Sequence, residues 1–401
     1  MQELQCVVQN YAWGKFGLES SVAQLREAAD KSFKVDAAIP YAELWMGTHP
    51  NGPSKVLHEN DDNATLLSEW IRTLRAGETD DLPFLFKVLS VRTALSIQAH
   101  PDNKLARELH AKFPQIYKDP NHKPEIAIAL TPFEALCQFR EINEIVAHLQ
   151  AIPELSALVP KDVSQRLVIE QNEAALREFF RCFIHAKPEN IVAQLCRLRI
   201  RYESALVELN PLKKLVLRLD KEYPGDIGCF SPFLLNYITL EPGEAMFLGA
   251  NEPHAYLFGD CIECMTCSDN VVRAGLTPKF VDKETLHSML TYHTGKPRIF
   301  KGDIQCDGVT RLYSSPVPEF EVEAIQLKPN QRYTLSTRRG DSIVIVIEGS
   351  GMTEGPFGFT DGRMVSKGHV YFLPMGELLS IQGGEDGVLL FRASPNETHR
   401  G

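Results

Sequence analysis

Along the 401-residue chain the spacing of apolar positions changes character twice. Residues 1–139 mix short apolar runs with turn clusters such as His49-Pro-Asn-Gly-Pro-Ser54, a pattern that predicts strands with loop excursions. Within it, Phe84 to Ala99 is rich in strand formers and contains neither Gly nor Pro. Asn63 to Ala76, with Leu66, Leu67, Trp70 and Leu74 near helical spacing, predicts one helix. Residues 140–222 read differently. Ile142, Ile145, Val146 and Leu149 fall at i, i+3, i+4 and i+7, as do Leu176, Phe179, Phe180 and Phe183. Ile191, Leu195 and Leu198 continue the pattern, and Pro153, Pro160, Pro188 and Pro211 punctuate it. This predicts an inserted block of about five helices.

From Tyr223 onward the strand pattern returns. Pro224-Gly225-Asp226, Glu241-Pro242-Gly243, Asn251-Glu252-Pro253 and Lys328-Pro329-Asn330 separate short apolar runs, as in a sandwich or barrel. Two segments resemble each other. Gly243 to Leu248 and Gly368 to Leu373 share a G-x-x-x-F-L frame, and eleven residues after its glycine the first has His254 and the second Leu379. The expected architecture is therefore mainly β with a helical insertion. One β-barrel is assembled from residues 1–139 and 223–300, helices occupy 140–222, and a related barrel lies at 301–401.

Composition narrows the function classes. With 44% hydrophobic and 23% charged residues the chain reads as globular. Apolar runs such as Ile343 to Ile347 fall far short of the roughly 20 residues of a membrane span. The start, MQELQCVVQNYAWGK, lacks the basic-then-apolar order of a secretory signal. Nine scattered cysteines then suggest free thiols in a reducing, cytosolic (cytoplasmic) setting. A net charge of −10 argues against nucleic acid or an anionic membrane as partner, but leaves room for a small anionic molecule.

Four residues point to a metal. In a strand, Gln98 and His100 aim at one face. Glu125 heads the apolar run Ile126 to Leu130, where an inward carboxylate needs a partner. His254 follows a turn at a strand start. Two imidazoles, a carboxylate and an amide oxygen suit zinc or a similar divalent ion, in a cupin-like arrangement. The triplet Cys261, Cys264 and Cys267 is set aside as a metal site, because alternate strand residues diverge and no fourth cysteine has ferredoxin spacing. Arg273, Lys279, Lys87 and Lys123 supply cations near these segments. Lys87 interrupts an apolar run and needs an anionic partner or a cavity.

Six motifs, in order, resemble the type I mannose-6-phosphate isomerases. They are Gln9-Asn-Tyr-Ala-Trp-Gly14, Ala42-Glu-Leu-Trp-Met-Gly-Thr-His-Pro50, Pro83-Phe-Leu-Phe-Lys-Val-Leu89, Ser96-Ile-Gln-Ala-His-Pro101, Asn121-His-Lys-Pro-Glu125 and Ser268 to Lys279. The likeness is strong over 1–140 and 225–290 and architectural elsewhere. It implies a cupin enzyme, with one zinc per chain, that interconverts mannose 6-phosphate and fructose 6-phosphate and so feeds GDP-mannose and glycan synthesis. It puts zinc on Gln98, His100, Glu125 and His254, the essential arginine on Arg273, and the pocket on Trp13, Glu43, Lys87, Ser96, Lys123, Tyr256, Glu263 and Lys279. A monomer is expected. The cysteine-rich stretch Glu263 to Cys267 is similar to eukaryotic members.

Isomerisation through an enediol requires a carbon base, proton transfer between oxygens, and stabilisation of a developing oxyanion. Zinc and Arg273 suit the last task. Glu263 and Lys123 are candidates for the proton carrier, with water at the metal a third. Lys87, Lys279 and Ser96 are candidates for the phosphate. Two other readings stand beside this one. His100, Glu125 and His254 would also make the facial triad of an iron oxygenase, and a cupin can bind a sugar phosphate without turning it over.

Overall fold

Along the strand Phe84–Val91 successive side chains serve different cores. Phe84, Phe86 and Val88 join a cluster with Ile126, Ile262, Ile343 and Phe372, whereas Leu89 and Val91 join Ala127, Tyr256 and Cys261. Strand side chains alternate between faces. Because both faces are covered, every residue of this strand is buried. That is why it reads as one apolar run, and why Lys87, pointing with Leu89, is the exception.

The computed structural model describes residues 1–401 apart from 59–60, 77–80, 205, 207, 356–357, 359–361 and 398–401. Its body is two eleven-stranded sheets. In the first, Val7–Gln9, Glu43–Met46, Phe84–Val91, His254–Thr266, Glu125–Ala129, Ala245–Leu248 and Ile299–Phe300 are neighbours in that order. The second carries the strands of the last hundred residues, and the two meet across the cluster that contains Phe86 and Ile343.

Within 1–139 the strands divide between the two sheets. Gln2–Gln5 pairs with Val370–Leu373 and with Lys55–His58, which pairs with Asp61–Leu66, so three early strands edge the second sheet. Apolar pattern cannot show which of two sheets a short edge strand will join. The same pairing shortens the helix expected over Asn63 to Ala76. Its first residues form a strand, and the helix is Leu67–Leu74.

The inserted block holds Ile142–Ala151, Pro153–Ser156, Lys161–Glu170, Glu173–Ile184, Pro188–Glu203 and Pro211–Glu222. This is one helix more than expected, because Pro153 starts a separate four-residue helix. The periodic positions Ile145, Phe179, Phe183, Leu195 and Leu198 are buried with Leu136, Phe139 and Leu257, so the block packs against strands of the first sheet. Among the described residues, no helix is long and apolar enough to cross a membrane.

The internal likeness seen in the sequence has a structural counterpart. Gly243 and Gly368 both adopt left-handed φ, 81° and 89°, before the strands Ala245–Leu248 and Val370–Leu373. His254 and Leu379 are each the first residue of the long strand that follows. Leu379 is buried with Val344, Ile381 and Leu390, so apolar packing takes the place that the histidine has in the first copy.

The strand His254–Thr266 builds the site because it changes partners midway. Residues 254–258 pair with Phe133–Phe139, and from Gly259 onward the strand pairs with Phe84–Val91. Gly259 makes the bend at φ +112°, and an added Cβ would lie 2.5 Å from the Pro132 carbonyl. Replacing Gly259 by alanine is expected to cost more than about 1 kcal/mol. An unmoved urea midpoint would contradict this.

Candidate metal centre and active-site cleft

Glu125 begins its strand in register with Met265, so its carboxylate faces inward like Glu263 and Ala127. His254 is paired with Cys137 on one side and Gln98 on the other, and Gln98 is paired in turn with Arg273. Four separate segments thereby converge. The His100 Nε2 lies 3.4 Å from Glu125 Oε1, and His254 Nε2 lies 3.4 Å from Glu125 Oε2. Ligand atoms of these three residues all lie within 4.8 Å of one another.

The group has the chemistry of a metal site. All three side chains are buried, yet His100 Nε2, His254 Nε2 and Glu125 Oε2 have no hydrogen-bond partner. Buried polar atoms are costly when unpaired, so three of them facing one point fit a cation. The far nitrogens are anchored: His100 Nδ1 donates to the Asn270 carbonyl at 2.7 Å and His254 Nδ1 to that of Glu252 at 3.1 Å. Protons on Nδ1 leave both Nε2 lone pairs facing the centre. Burial pushes the His100 imidazole down to about 4 against the pull of Glu125, so it stays neutral. Burial works against ionisation of Glu125, but the neighbouring Lys123 ammonium favours the charged carboxylate. Lys123 Nζ is 3.5 Å from Glu125 Oε1.

A cleft of about 840 Å³ opens over this centre, lined by Trp13, Glu43, Lys87, Ser96, Gln98, Lys123, Glu125, Tyr256, Glu263, Arg273 and Lys279. These residues come from distant parts of the chain. Ser96 donates to Gln98 Oε1 at 3.3 Å. Arg273 has no carboxylate partner among the described residues, and burial alone lowers its pKa. Burial raises the Glu263 carboxyl; Lys87 opposes the rise, while Glu125 and Glu43 add to it. Tyr256 is buried with its hydroxyl unpaired, and burial lifts that hydroxyl well above its ordinary value.

Lys87 is not a free cation. Its Nζ lies 3.0 Å from Glu263 and 3.6 Å from Glu43, and 5.1 Å from the centre of the Trp45 ring. Burial works to deprotonate it, but Glu263, Glu43 and Glu125 more than offset this and keep it charged. Lys87→Met would leave two buried carboxylates without their shared partner, and is expected to cost about 3–5 kcal/mol. Denaturant unfolding checks this; an unchanged midpoint would sink it.

Several cleft residues lay outside the sequence reading. Trp45 donates its indole N–H to Glu43, a contact that strand parity could have suggested. Glu222 accepts from the Ala94 N–H at 3.0 Å and Tyr223 donates its hydroxyl to the Ala94 carbonyl. The last helix of the inserted block thus forms part of the cleft wall, which helical periodicity could not reveal. The paired thiols of an iron–sulfur site do not occur: Cys261 and Cys264 sit in different cores.

Residues 1–142 match the catalytic domain of phosphomannose isomerase type I, and residues 143–235 match the helical insertion domain of the same enzymes. The chain belongs to the type I phosphomannose isomerase family. Mannose-6-phosphate isomerase of Rattus norvegicus is 43% identical, over 97% of each chain. Mannose-6-phosphate isomerase 2 of Arabidopsis thaliana is 44% identical, over 98% of this chain and 93% of its own. Among solved structures, a mannose 6-phosphate isomerase bound with zinc and yttrium superposes with a TM-score of 0.83 at 30% identity, covering 99% of both chains. An arginine-to-alanine variant of phosphomannose isomerase from Salmonella typhimurium gives 0.84 at 30% identity, again over 99% of each chain. The mainly β phosphomannose isomerase fold with its helical insertion is therefore the fold of this chain.

Proposed function

We propose that the protein is a zinc-dependent isomerase that interconverts mannose 6-phosphate and fructose 6-phosphate. The observation that carries this reading is the convergence of His100 and His254 on Glu125, which lines a cleft where the half-buried Arg273 has no anionic partner among the described residues. The family relatives give the substrate class. His100, Glu125 and His254 would hold zinc, with Gln98 as fourth ligand from the neighbouring strand. Bound there, zinc supplies Lewis acidity toward the sugar oxygens.

The remaining work falls to side chains of the chain. Arg273 donates to the oxygen on which negative charge develops, in a site where burial strengthens that interaction. Glu263 takes the proton from C2 of the open-chain aldose and delivers it to C1. Its carboxyl, raised by burial, is poised for this. Lys87 fixes one face of that carboxylate. Lys123 moves the balancing proton from O2 to O1, beside Glu125. Lys279 and Ser96 take the 6-phosphate, while Trp13, Glu43 and Tyr256 shape the pocket around the sugar.

All these residues lie in one chain, which supports a monomer as the working unit. The nine cysteines are free, which supports a reducing cytosolic setting and a role in supplying mannose for GDP-mannose. We also propose that residues 1–139 with 223–300, then 140–222 and 301–401, act as the catalytic, inserted helical and C-terminal units. In deuterated water the enzyme is expected to introduce deuterium at the sugar C1 and C2. Binding of mannose 6-phosphate with neither exchange nor formation of fructose 6-phosphate would overturn the catalytic reading.

A further inference from the structure

Each metal-site histidine is oriented by a main-chain carbonyl, and a carbonyl fixes a ring only if its own peptide is fixed. The Asn270 peptide, which holds His100, lies between the strands His254–Thr266 and Val272–Gly275, outside the ladder of either. Another loop secures it. Asp119 Oδ2 accepts the Asp269 N–H at 2.8 Å, and Oδ1 accepts the Ser268 hydroxyl at 2.8 Å. The Asn270 amide donates to the Asp119 carbonyl at 2.7 Å, to its Oδ1 at 3.2 Å and to the Asn121 carbonyl at 2.9 Å. Ser268 Oγ accepts the Asn270 N–H at 3.1 Å. Ser268 and Asn270 are both buried, so water does not replace these bonds. Asp119 does not line the cleft, and its hydrogen bonds go to residues 121 and 268–270 rather than to the histidines.

We propose that Asp119 is a positioning residue that sets the affinity of the metal centre. By pinning residues 268–270 it fixes the Asn270 carbonyl, and through it the His100 ring with Nε2 toward Glu125 and His254. Asn121 belongs to the loop that leads into Glu125, so the same crossing ties together the segments that deliver two of the ligands. Losing a direct hydrogen-bond partner of a metal ligand typically changes metal affinity by about 10–100-fold; Asp119 acts one step further out, through Asn270, so the lower end of that range is expected.

The inference rests on the zinc reading of the site, and the test separates the two. Zinc affinity is measured by chelator competition for wild type, Asp119→Ala, Asp119→Asn, Ser268→Ala and Glu154→Gln. Wild type should bind zinc tightly and Asp119→Ala about 10-fold more weakly. Asp119→Asn, which keeps the Oδ1 acceptor, and Ser268→Ala should fall between. With zinc in excess Asp119→Ala should regain turnover at an unchanged KM. Glu154→Gln weakens a carboxylate pair with Arg201 in the helical block and should leave zinc affinity unmoved. A folded Asp119→Ala that binds zinc like wild type overturns the inference. If that variant does not fold, wild-type affinity in both Asp119→Asn and Ser268→Ala overturns it. Failure of wild type to bind zinc would overturn the metal reading, and this inference with it.

Discussion

Arg273→Ala is expected to lower kcat by about 100- to 1,000-fold, the usual cost of removing one donor from a developing oxyanion. Arg273 is half-buried in the cleft, cross-strand from Gln98, and no carboxylate among the described residues neutralises it. A desolvated cation without a partner is expensive to keep, so its charge answers to something that enters the cleft. Gln98 in turn is paired with His254, which puts the arginine one strand away from the metal ligands. Two measurements on the purified variant are informative: turnover, and zinc bound per chain. The expected pattern is zinc retained with turnover lost. Near-normal turnover with zinc bound would remove Arg273 from the mechanism. Loss of zinc together with turnover would make it a structural residue instead.

His254→Ala should have a larger effect on the metal than any change outside the ligand set. It removes one of three converging donors and leaves Glu125 Oε2 facing a void. Affinity should fall by more than the roughly 100-fold that losing an outer partner can cost, and activity should fall with it. His254 is the first residue of a long strand and its ring is wholly buried, so the substitution also opens a small cavity. Stability is therefore measured alongside zinc. A folded His254→Ala protein that keeps stoichiometric zinc would show that the ligand set has been misassigned.

Much of this site could be read from residue types, and the reason is the regularity of strands. Parity placed Gln98 with His100 and separated Cys261 from Cys264, and Glu125 at the head of an apolar run called for a buried partner. Lys87 within Phe84–Val91 gave the same kind of signal, and its answer is Glu263 and Glu43 rather than a free phosphate grip. What stayed hidden depends on contacts between distant segments. Asp119 and Asn270 are 151 positions apart, and nothing local in either stretch announces their hydrogen bonds. Glu222 ends an ordinary amphipathic helix and reaches the cleft only because the inserted block folds back on Ala94. Edge strands were equally opaque: Gln2–Gln5 has too few side chains to show which sheet it will join. The internal repeat was legible at Gly243 and Gly368 because a left-handed turn before a strand leaves a glycine behind, whichever barrel it serves.

The central claim is that zinc held by His100, Glu125 and His254 makes this cleft an isomerase. The most direct measurement is fructose 6-phosphate formation from mannose 6-phosphate, followed in a coupled assay on the purified protein before and after chelation, then after zinc is returned. Turnover should vanish with the metal and come back with zinc. Undiminished turnover by metal-free protein, or none by the zinc-loaded protein, would contradict the account.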